Sequence, residues 1–303
     1  MSEIIFHHYA LSPFSEKIRR ILALKGLPWR SVDQPIMMPK PELVALTGGY
    51  RRIPVLQIGA DVYCDTALIA RCLEARYPSP DMLPAAQTGL IGMIEDWADH
   101  RLFFQCVPPV IKSIFEQLPP GFLDDRAAMS PALTKEGLFK AAPQAWVQAQ
   151  LSLDRLERQL TGTTFLLGEH FTLADAACYN PVWFLQNDAA LFAEVQARPA
   201  LLAWFKRIEA VPDAAVQELS AAEALAVARD SKPRVASAST AVGGLDFAVG
   251  DQVAVTADDY GPEQTAGRIT AISAESVTIE RDDPTLGAVA VHFPRAGYRV
   301  VTR

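Results

Sequence analysis

Residues 41–78 read "PELVALTGGYRRIPVLQIGADVYCDTALIARCLEARYP". Within this stretch "VLQIG" and "DVYC" flank a "GAD" turn, which predicts two short strands joined by a tight hairpin. The run that follows, "TALIARCLEARYP", changes to helical spacing, and Asp65 and Thr66 stand at its head as N-capping residue types. Upstream, "IIFHHYA" is β-rich and "SPFSEKIRRILAL" starts a helix: Ser12 is at the cap, Pro13 at the first helical position, and Ile18, Ile21 and Leu22 follow on one face. Gly26 and Pro28 close that helix, and "WRSVDQPI" supplies another strand. The order is βαβ followed by ββα, a small mixed sheet with helices.

The grammar changes twice downstream. From about 87 to 229 apolar residues recur at helical spacing, as in Ile91, Ile94, Trp97 and Leu102, and again in Leu151, Leu153, Leu156 and Leu160. Breaks fall at "VPP", "LPPG" and "RP", and no repeat period appears, so an all-helical module is expected and a solenoid is not. Residues 229–244, "RDSKPRVASASTAVGG", have the composition of a flexible linker. Beyond it "FAVGDQVAV", "AGRITAIS", "ESVTIER" and "AVAVHFPRAGYRVV" alternate apolar and polar residues between turns. They predict a small, SH3-like β-barrel near the lower size limit for independent folding, leaning on the rest of the chain. The expected class is α+β, with domains over 1–80, 87–229 and 245–303. A length of 303 residues accommodates two cores and an appendage.

Composition narrows the function classes. A net charge of -7 argues against nonspecific binding to nucleic acid or to an anionic membrane, both of which need a cationic footprint. Small barrels often bind nucleic acid, but residues 245–303 carry more Asp and Glu than Arg and no Lys. The start of the chain has no basic and apolar leader pattern, and no apolar run reaches bilayer length, so a cytoplasmic address is expected. Cys64, Cys72, Cys106 and Cys178 form no Cys-x-x-Cys pair and no metal-ligand spacing with the five histidines. They are read as reduced packing thiols, with no metal. Cys64 precedes Asp65, and a neighbouring carboxylate raises a thiol pKa, which disfavours a reactive cysteine there.

"SPFS", Ser12 to Ser15, admits two readings. A Ser N-cap needs no function. A helix start also offers unpaired N–H groups and a positive dipole end, and a hydroxyl there can donate to a thiolate. Hydrogen bonds to charged groups contribute roughly 1.5–3 kcal/mol, enough to lower a bound thiol's pKa from ~8.5 by about one to two units. Asp65 and Thr66 divide in the same way between a plain cap and a site for an α-amino and an α-carboxylate group. Pro54, before a strand, is where cis X-Pro turns occur, and a cis bond would present the Ile53 backbone to an extended peptide.

Taken in order, "SPFSEKIRRILALKGLPW", the 41–78 stretch and "TLADAACY" resemble the glutathione transferase family over about residues 3–225. The resemblance implies a thioredoxin-like N-terminal domain followed by an all-helical domain, with Thr172 and Asp175 matching a buried Ser/Thr-x-x-Asp capping motif. It implies glutathione as co-substrate, a hydrophobic electrophile as partner, and a homodimer engaged in detoxification. Ser12 falls at the activating position with Ser15 as the second candidate, whereas Tyr9 precedes the turn and is read as packing. Ser-x-x-Ser in place of a Cys-x-x-Cys removes dithiol redox chemistry. Ile53 would pair with the cysteinyl part of glutathione, with Pro54 the family's cis-proline. Asp65 and Thr66 would hold its γ-glutamyl end, and Lys40 and Arg52 its glycine carboxylate.

Two departures stand out. "LTGGYRRIP" replaces the usual Asn-Pro-x-Gly-Lys-Val-Pro and is expected to bring flexibility and two arginines to the glutathione loop. Asp65 replaces the commoner Glu. For the electrophile an apolar wall between the domains is expected, from Phe14 and from Met93, Trp97, Arg101 and Phe104, which recur at i, i+4, i+8 and i+11; core or subunit contact is the other reading of that stripe. The expected activity is transfer of an electrophile to glutathione. A glutathione-binding scaffold without turnover and a glutathione-dependent isomerase are the rivals.

Overall fold

The computed structural model describes residues 3–234 and 245–303, so most of the expected linker, residues 235–244, lies outside the described residues. The elements from the N-terminus are β1 (Ile5–His8), α1 (Pro13–Leu24), β2 (Trp29–Asp33), α2 (Pro41–Thr47), β3 (Val55–Ile58), β4 (Asp61–Cys64) and α3 (Thr66–Arg76). Helices α4 (Thr88–Asp96), α5 (Phe103–Ser113), α6 (Phe122–Ala127), α7 (Lys135–Leu160), α8 (Leu173–Phe184), α9 (Ala189–Gln196) and α10 (Pro199–Glu209) follow, with a π-helical segment, Trp97–Leu102, between α4 and α5. The chain ends with β5 (Val216–Glu218), α11 (Ala221–Arg229), β6 (Gln252–Ala257), β7 (Thr265–Ile272), β8 (Ser276–Asp283), β9 (Gly287–Pro294) and β10 (Tyr298–Thr302). Two compact units result, one from residues 1–15, 28–72 and 215–303 and one from 16–27 and 73–214.

The first unit is built on one sheet of ten strands in the order β10-β6-β7-β8-β9-β4-β3-β1-β2-β5. Its N-terminal part is the expected mixed sheet: β1 runs parallel to β2 and antiparallel to β3, and the β3–β4 hairpin turns at Gly59, whose φ of +64° favours glycine. The C-terminal strands are present and adjoin one another in the order β10-β6-β7-β8-β9. They lean on the rest of the chain as expected: β9 pairs in parallel with β4, Val62 opposite Val291, and joins them to the first sheet. The reason lies at the seam. Asp61 on β4 binds His292 on β9 at 2.8 Å, and the Tyr63 ring stacks on that imidazole at 4.2 Å. Beneath it a single apolar cluster joins Leu43, Leu46, Val55 and Val62 to Val253, Ile269, Ile279, Val291 and Phe293. An edge strand left open is a liability, and here each module covers the other's edge.

A correction concerns the expectation that 87–229 contains no strand. β5 pairs in parallel with the outer edge of β2. Three exposed residues, Val216 to Glu218, are too short to show a period-2 pattern. α11 then starts at a Ser220–Glu223 capping box and packs Ala224 with Ile5, Val32 and Leu219.

His7 lies fully inside this sheet. Its Nε2 is 2.9 Å from the Gln57 side-chain oxygen and its Nδ1 is 3.3 Å from the Gln34 amide nitrogen, an arrangement that suits the neutral ring with its proton on Nε2. Burial pushes the imidazole down from 6.5 to about 4 against the pull of Gln57. Between those values the unfolded chain binds a proton that the folded chain refuses, so stability falls as pH falls through that window. The expected loss from this group is ~2 kcal/mol between pH 7 and pH 5. Urea unfolding at both pH values should show that increment in the wild type and not in His7→Gln. Identical pH dependence in the two proteins would refute the buried neutral imidazole.

In the helical unit, α1 buries Ile18, Ile21 and Leu22 as expected and ends at Gly26 with φ +60°. It also buries Lys17, which amphipathic patterning does not predict. The ammonium bridges Glu95 at 2.9 Å and Asp99, in the π-helical segment, at 2.6 Å. A buried cation needs such partners. Helix α5 packs along the 26-residue α7. Helix α8, buried over nearly its whole length, begins at the Thr172–Asp175 capping box.

Candidate functional site

The turn between β1 and α1 forms as its residue types dictate. Ser12 donates its N–H to the Tyr9 carbonyl at 3.2 Å, and its Oγ accepts the Ser15 N–H at 3.1 Å. A hydroxyl that accepts a bond keeps its own proton to donate. Both serines are buried, and the Ser15 Oγ has no hydrogen-bond partner among the described residues.

The loop from α2 to β3 carries the next candidates. Lys40 is buried, with Nζ 3.3 Å from the Arg51 carbonyl and 5.9 Å from the centre of the Tyr9 ring. The Ile53–Pro54 peptide is cis. Gly48 and Gly49, expected to loosen this loop, instead allow close approach. A Cβ on Gly49 would lie 2.7 Å from the Gln264 carbonyl oxygen, and one on Gly48 2.6 Å from the Arg281 side chain. The two arginines are held by the same C-terminal segment. Arg52 clasps the Asp259 carboxylate at 2.5 and 3.2 Å and lies 3.9 Å over the Tyr260 ring, while Arg51 is 3.5 Å from Glu263.

Asp65 follows β4 with φ +75°, the left-handed region that a non-glycine residue enters at a cost of about 1–3 kcal/mol. It begins α3 as an N-cap. Its Oδ1 accepts the Ala67 N–H at 2.9 Å, and its Oδ2 accepts the Tyr298 hydroxyl at 3.1 Å. Thr66, buried, is the first residue of α3. Tyr260 ties the set together. Its hydroxyl is pushed up to about 12 by burial, with Arg52 pulling it back and Asp259, Asp65 and Tyr9 adding to the rise. In the first unit Lys40 thus lies beside Tyr9, whose carbonyl anchors the Ser12 turn, and Arg52 lies beside Tyr260.

The expected apolar wall is divided between the units. Phe14, partly buried, belongs to the sheet unit and the other four belong to the helical unit. Met93 and Arg101 are exposed, whereas Trp97 and Phe104 are partly buried. The stripe reading assumed an unbroken α-helical repeat, which the π-helical segment at Trp97–Leu102 interrupts. Cys64, Cys106 and Cys178 are buried thiols; burial pushes Cys106 up to about 12 and holds the other two well above the ordinary value. Among the described residues no group of three or more His, Cys, Asp or Glu side chains is placed to hold a metal ion. No helix there is long and apolar enough to cross a membrane.

Tyr298, Asp259 and Tyr260 are site neighbours that sequence reasoning missed. The available signal was "DDYGPE", acids and an aromatic ring on a turn, opposite the "YRR" of the other loop.

A thioredoxin-like sheet with a capped serine turn, a cis-proline and an acid–threonine helix start, together with an all-helical unit, defines the glutathione transferase class. Comparison with known proteins agrees. Residues 6–81 match the model of the glutathione S-transferase N-terminal domain and residues 139–207 that of the C-terminal domain. A GST-like protein from Pseudomonas syringae is 36% identical, with a TM-score of 0.84 over 100% of both chains, so the C-terminal strands fall within the match. Glutathione S-transferase 3 of Zea mays is 28% identical over 230 residues, 70% of this chain and 91% of that protein. A glutathione S-transferase from Rhodospirillum rubrum shares the fold at 19% identity, covering 69% and 89% of the two chains with a TM-score of 0.55. The chain belongs to the glutathione S-transferase family, and its fold and relatives support a glutathione transferase-like catalytic function with glutathione as substrate.

Proposed function

We propose that this chain is a serine-type glutathione transferase, acting as a cytoplasmic homodimer. Glutathione binds in residues 1–80, and a hydrophobic electrophile is the second substrate. The Ser12 hydroxyl donates a hydrogen bond to the glutathione sulfur as its proton passes to solvent. The thiolate then attacks an electrophilic carbon: the C–S bond forms and the leaving group departs with the electron pair of the bond that breaks. The observation that carries the reading is the Ser12 turn, where a buried hydroxyl caps the twelve-residue α1 and keeps its own proton to give. Ile53 and Pro54 meet the cysteinyl backbone, Asp65 and Thr66 the γ-glutamyl end, and Lys40 and Arg52 the glycine carboxylate. Arg52 acts there in competition with Asp259, so it contributes less than a lone arginine would.

Passage over immobilised glutathione, followed by mass analysis of products from a panel of aryl halides and epoxides, tests the reading. Retention and a covalent adduct are expected. Retention without turnover would make the chain a binding protein, a rearranged substrate without adduct would make it an isomerase, and no retention would reject glutathione altogether.

A further inference from the structure

The C-terminal strands lie outside the two-domain pattern, yet they reach the candidate site, most directly at Asp65. Asp65 gives one carboxylate oxygen to its own helix start, at Ala67. The other is not left to solvent: the Tyr298 hydroxyl donates to it at 3.1 Å across 233 residues of sequence. Tyr298 is not a mobile surface ring. Its backbone is paired to Ala257 in the β10–β6 ladder, its ring lies 5.5 Å from that of Phe293, and the residue is buried in the cluster that contains Tyr50. Burial, with Tyr50 and Asp65 nearby, holds its hydroxyl well above the ordinary value, so at neutral pH it is a donor.

A carboxylate offers about four lone-pair sites. Two donors fixed by separate elements, the Ala67 N–H and the Tyr298 O–H, set its plane and leave the remaining sites for an ammonium group. We infer that the C-terminal strands complete the glutathione site, with Tyr298 as a positioning residue that orients Asp65 toward the γ-glutamyl ammonium. The inference rests on the reading of Asp65 given above. The same strands hold Arg52 through Asp259 and Tyr260, so two of the candidate glutathione contacts are braced from outside the thioredoxin-like segment. The opposite consequence, that these contacts occupy the site and exclude glutathione, predicts the opposite sign when the hydroxyl is removed.

Tyr298→Phe deletes that hydroxyl and keeps the ring in its cluster. Calorimetric titration of the full chain with glutathione should show Kd raised about tenfold, the scale of a hydrogen bond to a charged group. The turnover rate at saturating glutathione should stay within about twofold, because the contact serves binding rather than the chemical step. Glutathione lacking its α-amino group, γ-glutaryl-cysteinylglycine, should bind the wild type and the variant equally. In an Asp65→Asn background the Tyr298→Phe change should have no further effect. Unchanged or tighter binding of glutathione by Tyr298→Phe overturns the inference, as does an equal loss of affinity for the deaminated analogue, which would mark a general structural defect. A wild-type protein that binds no glutathione overturns the functional reading itself, and this inference with it.

Discussion

Ser12→Ala should lower the rate of glutathione conjugation at pH 6.5 by roughly 10–100-fold, the span of one charge-assisted hydrogen bond. The expectation has a sign as well as a size. With the bond present the bound thiol ionises about one to two units below its free value of ~8.5, so the rate reaches its plateau near neutrality. Without it the rate continues to rise toward pH 9, and the deficit of the variant shrinks accordingly. A deficit that stayed constant across the pH range would mean that Ser12 positions the substrate without stabilising the thiolate. Ser15→Ala is the internal control. Its hydroxyl is buried and without a partner among the described residues, so removing it should cost the fold nothing in hydrogen bonds, and a large kinetic effect there would transfer the role of thiolate donor to Ser15. Stopped-flow ultraviolet absorbance of the bound thiolate, titrated in both variants, separates these outcomes without reference to any particular electrophile.

What the sequence revealed and what it concealed divide along a physical line. Ser12, Pro13 and Gly26 are local signals, since each acts on backbone groups within one turn, and the helix they bound is where they place it. The Gly59 hairpin and the Thr172–Asp175 box are local in the same sense. The parallel pairing of β4 with β9 is not. Val62 and Val291 are separated by 229 residues, and alternation in the C-terminal strands says that they have two faces without saying whose edge they meet. That these strands meet the edge of β4 is invisible until Asp61, Tyr63 and His292 are brought side by side. Lys17 misleads for a related reason. A lysine on an amphipathic helix reads as solvated, and only Glu95 and Asp99, about eighty residues away, allow it to be buried. The candidate site follows the same division: Ser12, Pro54, Asp65 and Thr66 could be named from local motifs, whereas Tyr298 could not.

Asp175→Ala is expected to be the most destabilising single change in the helical unit. The carboxylate accepts four bonds, each of 2.9 Å, from the Leu166 N–H, the Thr172 N–H, the Thr172 hydroxyl and the Trp204 indole. Burial pushes Asp175 upward from its ordinary value while those four donors pull it back, the signature of an acid that the fold has enclosed and then satisfied. Alanine leaves two backbone N–H groups and the indole N–H buried without an acceptor. Each stranded donor costs roughly 1–3 kcal/mol, so a loss of about 4 kcal/mol or more is expected, a large share of the stability of an ordinary domain. The damage should not stay local. The Leu166 bond ties the loop before α8 to its first turn, and the Trp204 bond ties α10 to the same point, so three segments lose their common anchor. Asp175→Asn tests whether charge or shape is responsible: it keeps one acceptor oxygen but turns an amide donor toward other donors, so it should recover only part of the loss. Chemical unfolding followed by circular dichroism at helical wavelengths reads the effect. An alanine variant within about 1 kcal/mol of the wild type would mean that water or a rearranged loop satisfies those donors, and that the box is a detail of the helix start rather than the anchor of the unit.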